Sequence, residues 1–262
     1  MNAETLIQQG ELKAALAALS EKVRAKPADA SQRVFLFQLL AVLGQWDRAR
    51  TQLEMAVELD ASVTPMVMVY RDVINCELHR QAVFAGKSKP LIFGKPEEWI
   101  ALLVEAQQAF AKGDMKSFNT LNSQALEQAP ASSGTINGES FAWLADADQR
   151  FGPVFEVIFN GQYYWVPMSN VRNLTMEEPA DLRDLVWQPA EITWINGGRN
   201  AVMMPSRYPR IEGITESEML ARSTNWEPHQ EELFEGIGQR MLATDEQDYS
   251  FLQVRNIQFD ES

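Results

Sequence analysis

Chemistry in this sequence has few places to reside, and the first is "AWLADADQRFGP", Ala142 to Pro153. It sets Asp146 and Asp148 two residues apart with Arg150 close behind. Paired carboxylates can ligate a hard cation or share a proton as general acid and base. A calcium loop, however, needs further oxygen ligands at fixed spacing and a closing glutamate, and Arg150 stands where the third ligand belongs. The acids are therefore expected to cap turns or to pair with arginines such as Arg150, Arg172 or Arg183. The other close acid pairs, Glu177/Glu178, Asp181/Asp184 and Glu231/Glu232, read as solvated faces.

Two further stretches invite a chemical reading and do not sustain it. Cys76 and His79 lie three apart on a helical pattern and could share a face. A structural zinc needs four ligands, and no C-x-x-C or second histidine cluster supplies them. As a nucleophile Cys76 lacks a base, so it is expected to pack as a small apolar residue. "QAVFAGKS" (Gln81–Ser88) ends like a phosphate-binding loop, but Gln81 replaces the first glycine and the run before it reads as helix, not strand. Gly86 is then the cap of a helix end. No G-x-S-x-G elbow is present. The reading is of a protein with no catalytic residues, no metal site and no cofactor. The chemical alternative is an enzyme with an acidic pocket built on Asp146, Asp148 and Arg183.

The chain must position these residues with 262 amino acids, enough for one large domain or two ordinary ones. No stretch is long and apolar enough for a membrane span, and "MNAETLIQQGELK" does not read as a signal peptide. A single cysteine fits a reducing compartment, and a cytoplasmic protein is expected. A net charge of −13 argues against non-specific nucleic-acid binding. The charge is unevenly spread. Residues 1–135 carry 14 basic and 15 acidic side chains, whereas residues 136–262 carry 9 and 21, and all nine of those bases are arginines. A shift of this kind suggests two domains with different surfaces.

In the first half, "GELKAALAALSEKVRAKP" from Gly10 and "GQWDRARTQLEMAVELDA" from Gly44 align at a spacing of 34 residues. Leu12/Trp46, Ala15/Ala49 and Leu19/Leu53 match. "GDMKSFNTLNSQALEQAP" repeats the pattern from Gly113, with Phe118 in the place of the small residue. This period is that of the tetratricopeptide repeat, a helix–turn–helix unit. Leu12, Leu16, Leu19 and Val23 form one helical face, as do Trp46, Ala49, Leu53 and Val57, and Trp99, Leu102, Ala106 and Phe110. Pro65 and Pro96 suit first-turn positions and Asp114 a cap, while the segment 62–95 fits the repeat poorly. Residues 1–131 are read as tetratricopeptide-like helical repeats, whose stacking leaves a concave surface suited to a partner's peptide or helix.

"SSGTING" (132–138) reads as a linker, and residues 139–262 as a small, acidic, mainly antiparallel β-rich domain, an open barrel or sheet with one short helix at Glu216–Ser223. Asn160-Gly161 turns a hairpin that sets Phe159 opposite Gln162, Ile158 opposite Tyr163, Val157 opposite Tyr164 and Glu156 opposite Trp165. Both faces of that hairpin are mostly apolar, so both are expected to be covered. A second hairpin is centred on Asn196-Gly197-Gly198, and "VRNLTME" and "FLQVRNIQF" read as strands.

"FAWLADADQRFGPVFEVIFNGQYYWVP", "PADLRDLVWQPAEITWINGG" and "GIGQRMLATD" together resemble the ImpE (SciE-type) family of TagJ-like accessory proteins of bacterial type VI secretion. The helical first half fits that family's layout, so the resemblance covers essentially the whole chain. Phe151 is a possible departure, in a place where the family pattern has an aliphatic residue. The resemblance implies a cytoplasmic, non-enzymatic adaptor. Its implied partners are the small subunit of the contractile sheath, engaged through a helix, and the ClpV-type AAA+ ATPase that disassembles the sheath, with neither nucleic acid nor membrane. It supplies no catalytic residues. A structural or regulatory part of the secretion machine is the alternative within the same system.

Overall fold

The computed structural model describes residues 2–95, 97–210, 212–230 and 233–260. Pro96 and the Glu231/Glu232 pair lie outside the described residues. Helices come first: α1 (Ala3–Gln8), α2 (Leu12–Ala25), α3 (Ala30–Val42), α4 (Trp46–Leu59) and the long α5 (Thr64–Phe84). After a two-residue strand β1 (Leu91–Ile92) come α6 (Glu98–Ala111) and α7 (Met115–Gln128). Helix α1 packs on α2, α3 on α4 and α6 on α7, giving three helical hairpins.

The repeated glycines make the turns of those hairpins. Gly10, Gly44 and Gly113 have φ of 82°, 67° and 73°, the left-handed region that a side chain disfavours. Each is followed by a residue whose N–H reaches back to close the turn: Glu11 to Leu6 O at 2.8 Å, Gln45 to Leu40 O at 2.9 Å and Asp114 to Ala109 O at 3.0 Å. This six-residue closure is the Schellman arrangement at a helix C-terminus. Ala15 and Ala49 are fully buried, as the close approach of paired helices requires, and Phe118 takes the equivalent buried place in α7. The segment that fits no repeat is α5. It is 21 residues long, with Pro65 in its first turn, and Gly86 (φ 70°) follows its C-terminus.

The remaining elements are mostly strands: β2 (Gly134–Ile136), β3 (Glu139–Phe141), β4 (Leu144–Asp146), β5 (Val154–Phe159), β6 (Gln162–Pro167), β7 (Val171–Met176), β8 (Trp187–Trp194), β9 (Arg199–Pro205), β10 (Thr224–Gln230), β11 (Leu233–Gly238), β12 (Met241–Thr244), β13 (Asp248–Ser250) and β14 (Asn256–Phe259), with a short helix α8 (Glu216–Met219). Eight of them join β1 in a nine-stranded sheet in the order β1-β6-β5-β9-β8-β7-β14-β2-β3; β10-β11 and β13-β12-β4 form two smaller sheets. The large sheet is open, ending on β1 and β3. The pairing is antiparallel except for β1 with β6.

Both expected hairpins form, and the one at Asn160-Gly161 has the expected register, including Glu156 opposite Trp165. Three expectations need correction. The stretch 132–138 is not simply a linker, because β2 pairs with β14 and β3 inside the large sheet. The helix at 216–223 stops at Met219, and Ala221 takes a positive φ of 51°. In "FLQVRNIQF" only Asn256–Phe259 is strand, since Phe251–Gln253 makes a 3-10 turn. Strand β1, contributed by the helical half, carried no periodic signal.

The large sheet has apolar cores on both faces. One packs on the helices: Trp187 meets Trp46 at 5.5 Å and Tyr70 at 6.1 Å between ring centroids, and Tyr163, Trp165 and Ile158 join the same core. The other face holds Phe155, Val157, Trp194, Ile257 and Phe259. Helices and sheet therefore share one continuous apolar core. Strands β5 and β9 are joined at a single registered pair, Ile158 with Met203.

Candidate functional site

The acids that first suggested chemistry are buried in a chain of ion pairs. Asp146 ends β4, and its carboxylate accepts from Arg240 Nη1, from the Tyr208 hydroxyl at 3.0 Å and from the Asp148 N–H at 2.9 Å. Asp148 sits in the following turn. It binds Arg150 through Nε at 2.9 Å and Nη2 at 2.6 Å, and accepts from the Gly236 N–H at 2.9 Å. Gly236 is required there, because a Cβ would lie 2.3 Å from the Tyr208 ring. Arg150 continues to Glu235 at 3.0 Å, and Glu235 to His229 at 2.9 Å. In the other direction Arg240 also pairs with Glu156 of β5. Arg80 of α5 then holds Glu156 through Nε at 2.7 Å and Nη2 at 2.8 Å, and Glu77 through Nη1 at 3.0 Å. The Trp187 indole N–H closes the series on Glu77 at 3.1 Å.

This chain fastens α5 to β5 and, through Arg240, to β4. Its acids and arginines are almost wholly buried, so each depends on its partner. Burial opposes the charged form of Glu156, but Arg80 and Arg240 outweigh it and hold the carboxyl below its usual range. At Asp146 burial wins over the pull of Arg240, and with Asp148 alongside, the carboxyl is pushed up to about 7. Arg207 is buried and, among the described residues, makes no ion pair within 4 Å, though the Glu77 charge partly offsets its burial. It donates to the carbonyls of Val42, at 2.8 Å, and Met219, and burial lowers its pKa to about 10.

The remaining expectations divide. Arg150 is an arginine partner as foreseen, whereas Asp146 takes Arg240, 94 residues away. Arg183 pairs with Asp181 and lies 4.7 Å from the Tyr70 ring, so it takes no part in the ion pairs of Asp146 and Asp148. Asp181 caps the turn at Leu182 to Leu185, and the Asp184 carboxylate accepts from the Asp181 N–H at 2.8 Å to complete a capping box. Cys76 and His79 do not act together. Burial pushes the Cys76 thiol up to about 12, so it stays protonated, and His79 binds Ser88 Oγ at 3.0 Å and Lys89 O at 3.1 Å. Among the described residues no three His, Cys, Asp or Glu side chains converge as metal ligands.

Glu77, Arg80, Glu156 and Arg240 were missed. A signal existed: Glu156 is the single charge in "PVFEVIF", and arginine without lysine favours bidentate carboxylate pairing.

A different site lies open on the helix-facing side of the sheet, where the N-terminal half of α5 leaves strands uncovered. There a cleft of about 390 Å³ runs between Val69 and Asp72 of α5 and the row Ile158, Met203 and Pro189 across β5, β9 and β8, with Ala201 beside it. Met68 and Val69 on α5 are exposed at 55% and 45%, an apolar rim on a solvent-facing helix. A second cleft, of about 420 Å³, continues along β8: Pro189 and Ala190 line both. Its outer lining is acidic, with Glu177, Glu178 and Glu191. The surface thus offers an apolar trough opening into a carboxylate-lined end.

Comparison with known proteins gives the class. The family model described as "ImpE protein" matches residues 138–258. The chain belongs to the ImpE family. It is 48% identical over 99% of its length, and over 92% of the relative's, to the type VI secretion system accessory component TagJ of Pseudomonas aeruginosa. A crystal structure of a Vibrio parahaemolyticus protein has the same fold, with a TM-score of 0.91 and 25% identity over 99% of this chain and 98% of that one.

Proposed function

We propose that this protein is a non-enzymatic accessory component of a type VI secretion system. It acts as an adaptor that holds a helix of the small contractile-sheath subunit and helps bring the ClpV-type AAA+ ATPase to it. The observation that carries the reading is the 48% identity, across nearly the whole chain, to a protein named as a type VI secretion accessory component. The cleft beside α5 gives the capture a place, since an apolar trough is what an amphipathic helix needs to bury its apolar face. The three hairpins, with matched glycine turns and buried alanines in the first two, support a tetratricopeptide-like first unit (residues 1–131) set against an acidic β-rich unit (residues 139–262). The buried acids of Asp146 and Asp148 serve as internal fasteners in this account, and the protein works in the cytoplasm, where the sheath assembles. Co-purification tests it: the tagged full chain should retain the purified small sheath subunit and, in its presence, the ATPase. Failure to retain the subunit at any practical concentration would remove the adaptor reading.

A further inference from the structure

We propose that the segment captured here carries an arginine or lysine that docks at the acidic end of the cleft, against Glu177, Glu178 and Glu191 and beside Gln188. The inference rests on the capture reading above and specifies the chemistry of its partner. Three observations carry it. First, Glu177, Glu178 and Glu191 are exposed, and among the described residues no basic side chain pairs with any of them. Most arginines of the second half are committed elsewhere: Arg150 and Arg240 to buried carboxylates, Arg183 to Asp181, Arg210 to Glu227, and Arg207, Arg222 and Arg255 to backbone carbonyls. The negative end of the cleft is left for an outside cation.

Second, Gln188 lines this end while only 2% exposed. Its Nε2 donates to Glu177 O at 2.7 Å, and its buried Oε1 accepts from no donor. An orphan buried acceptor costs free energy that an incoming N–H would recover. Third, the acids are spread along the rim and do not converge on one point, and apolar Ala180, Pro189 and Ala190 lie between them. That suits a long cationic side chain, with its methylene stem on the apolar floor and its donors among the carboxylates, better than a compact metal ion. Because Pro189 and Ala190 also line the apolar trough, a single amphipathic segment can fill both.

The test uses the full chain and two fluorescein-labelled amphipathic peptides, identical except for two arginines or two glutamines at one end. The arginine peptide should bind about tenfold more tightly at low salt, with the advantage shrinking as salt rises. In Glu177→Gln/Glu178→Gln/Glu191→Gln the advantage should vanish while the glutamine peptide binds as before. Equal binding of the two peptides by the natural chain, an advantage that survives in the triple variant, or no binding of either peptide overturns the proposal. Retention of the small sheath subunit by the triple variant, with unaltered affinity and salt dependence, also overturns it yet leaves the adaptor reading standing. Failure of the natural chain to retain that subunit would instead count against the adaptor reading itself.

Discussion

Two sets of carboxylates in the second half of this chain have opposite fates. Asp146, Asp148 and Glu156 are buried and spent on arginines. Glu177, Glu178 and Glu191 are exposed, spread along the rim at the end of a cleft, and paired with no basic side chain among the described residues. By spacing alone the buried acids suggest chemistry, while the exposed ones suggest plain solvated surface. The difference teaches that close spacing of acids says little about use. What matters is whether the fold supplies their counter-charges, because a carboxylate neutralised inside cannot act on anything outside.

Variants can break the buried side of this comparison. The largest effect is expected from Glu156→Ala, which strands Arg80 and Arg240 without their shared carboxylate. Unpairing a buried ion pair costs roughly 3–5 kcal/mol, so urea unfolding should show a strongly lowered midpoint or no folded protein. Gly236→Ala comes next. Its Cβ would press on the Tyr208 ring, an overpacking that costs about 1–3 kcal/mol, read in the same way. On the exposed side, the triple glutamine variant at Glu177, Glu178 and Glu191 should melt within about 0.5 kcal/mol of the natural chain, as surface substitutions do, while losing its preference for a basic peptide.

The pH dependence sharpens the contrast further. Asp146 has a folded pKa of about 7, above the unfolded value of about 3.9. Its contribution to stability is therefore full below the unfolded value and is lost as pH rises through about 7. Glu156 is shifted downward, so its contribution is present above the unfolded value and lost as pH falls through its folded one. Stability should rise by of order 1 kcal/mol from pH 8 to pH 5 and then fall in stronger acid. Asp146→Asn should flatten the first limb, which denaturant melts across that range will show. A local effect belongs to a helix end: Asp114 caps α7 through the Ser117 N–H at 3.1 Å. Asp114→Ala should cost about 1 kcal/mol without changing any affinity.

What could be read from the sequence was what is local. The helices around Gly10, Gly44 and Gly113, and the hairpins at Asn160-Gly161 and Asn196-Gly197-Gly198, are specified by residues within a turn of one another. Periodicity and turn chemistry therefore reveal them. The ion-pair chain is not local: Arg80 meets Glu156 across 76 residues and Arg240 meets Asp146 across 94. No spacing rule ties such partners together. Strand β2 was hidden because "SSGTING" has the composition of a turn, and its place in the sheet comes from β14 at the far end of the chain. The cleft was hidden for the same reason, being built from α5, β5, β8 and β9 where two of those strands meet at a single pair.

Capture at the cleft is the central proposal. The decisive measurement is the affinity of the purified full chain for the purified small sheath subunit, compared with that of Val69→Lys/Ala201→Lys. Both substituted residues are exposed in the apolar trough, so the variant should keep its fold, checked by an unchanged unfolding midpoint. Saturable binding by the natural chain, weakened by at least about tenfold in the variant, is predicted, since the loss of apolar contact and an added charge act together. Equal affinity in the two proteins would contradict the account.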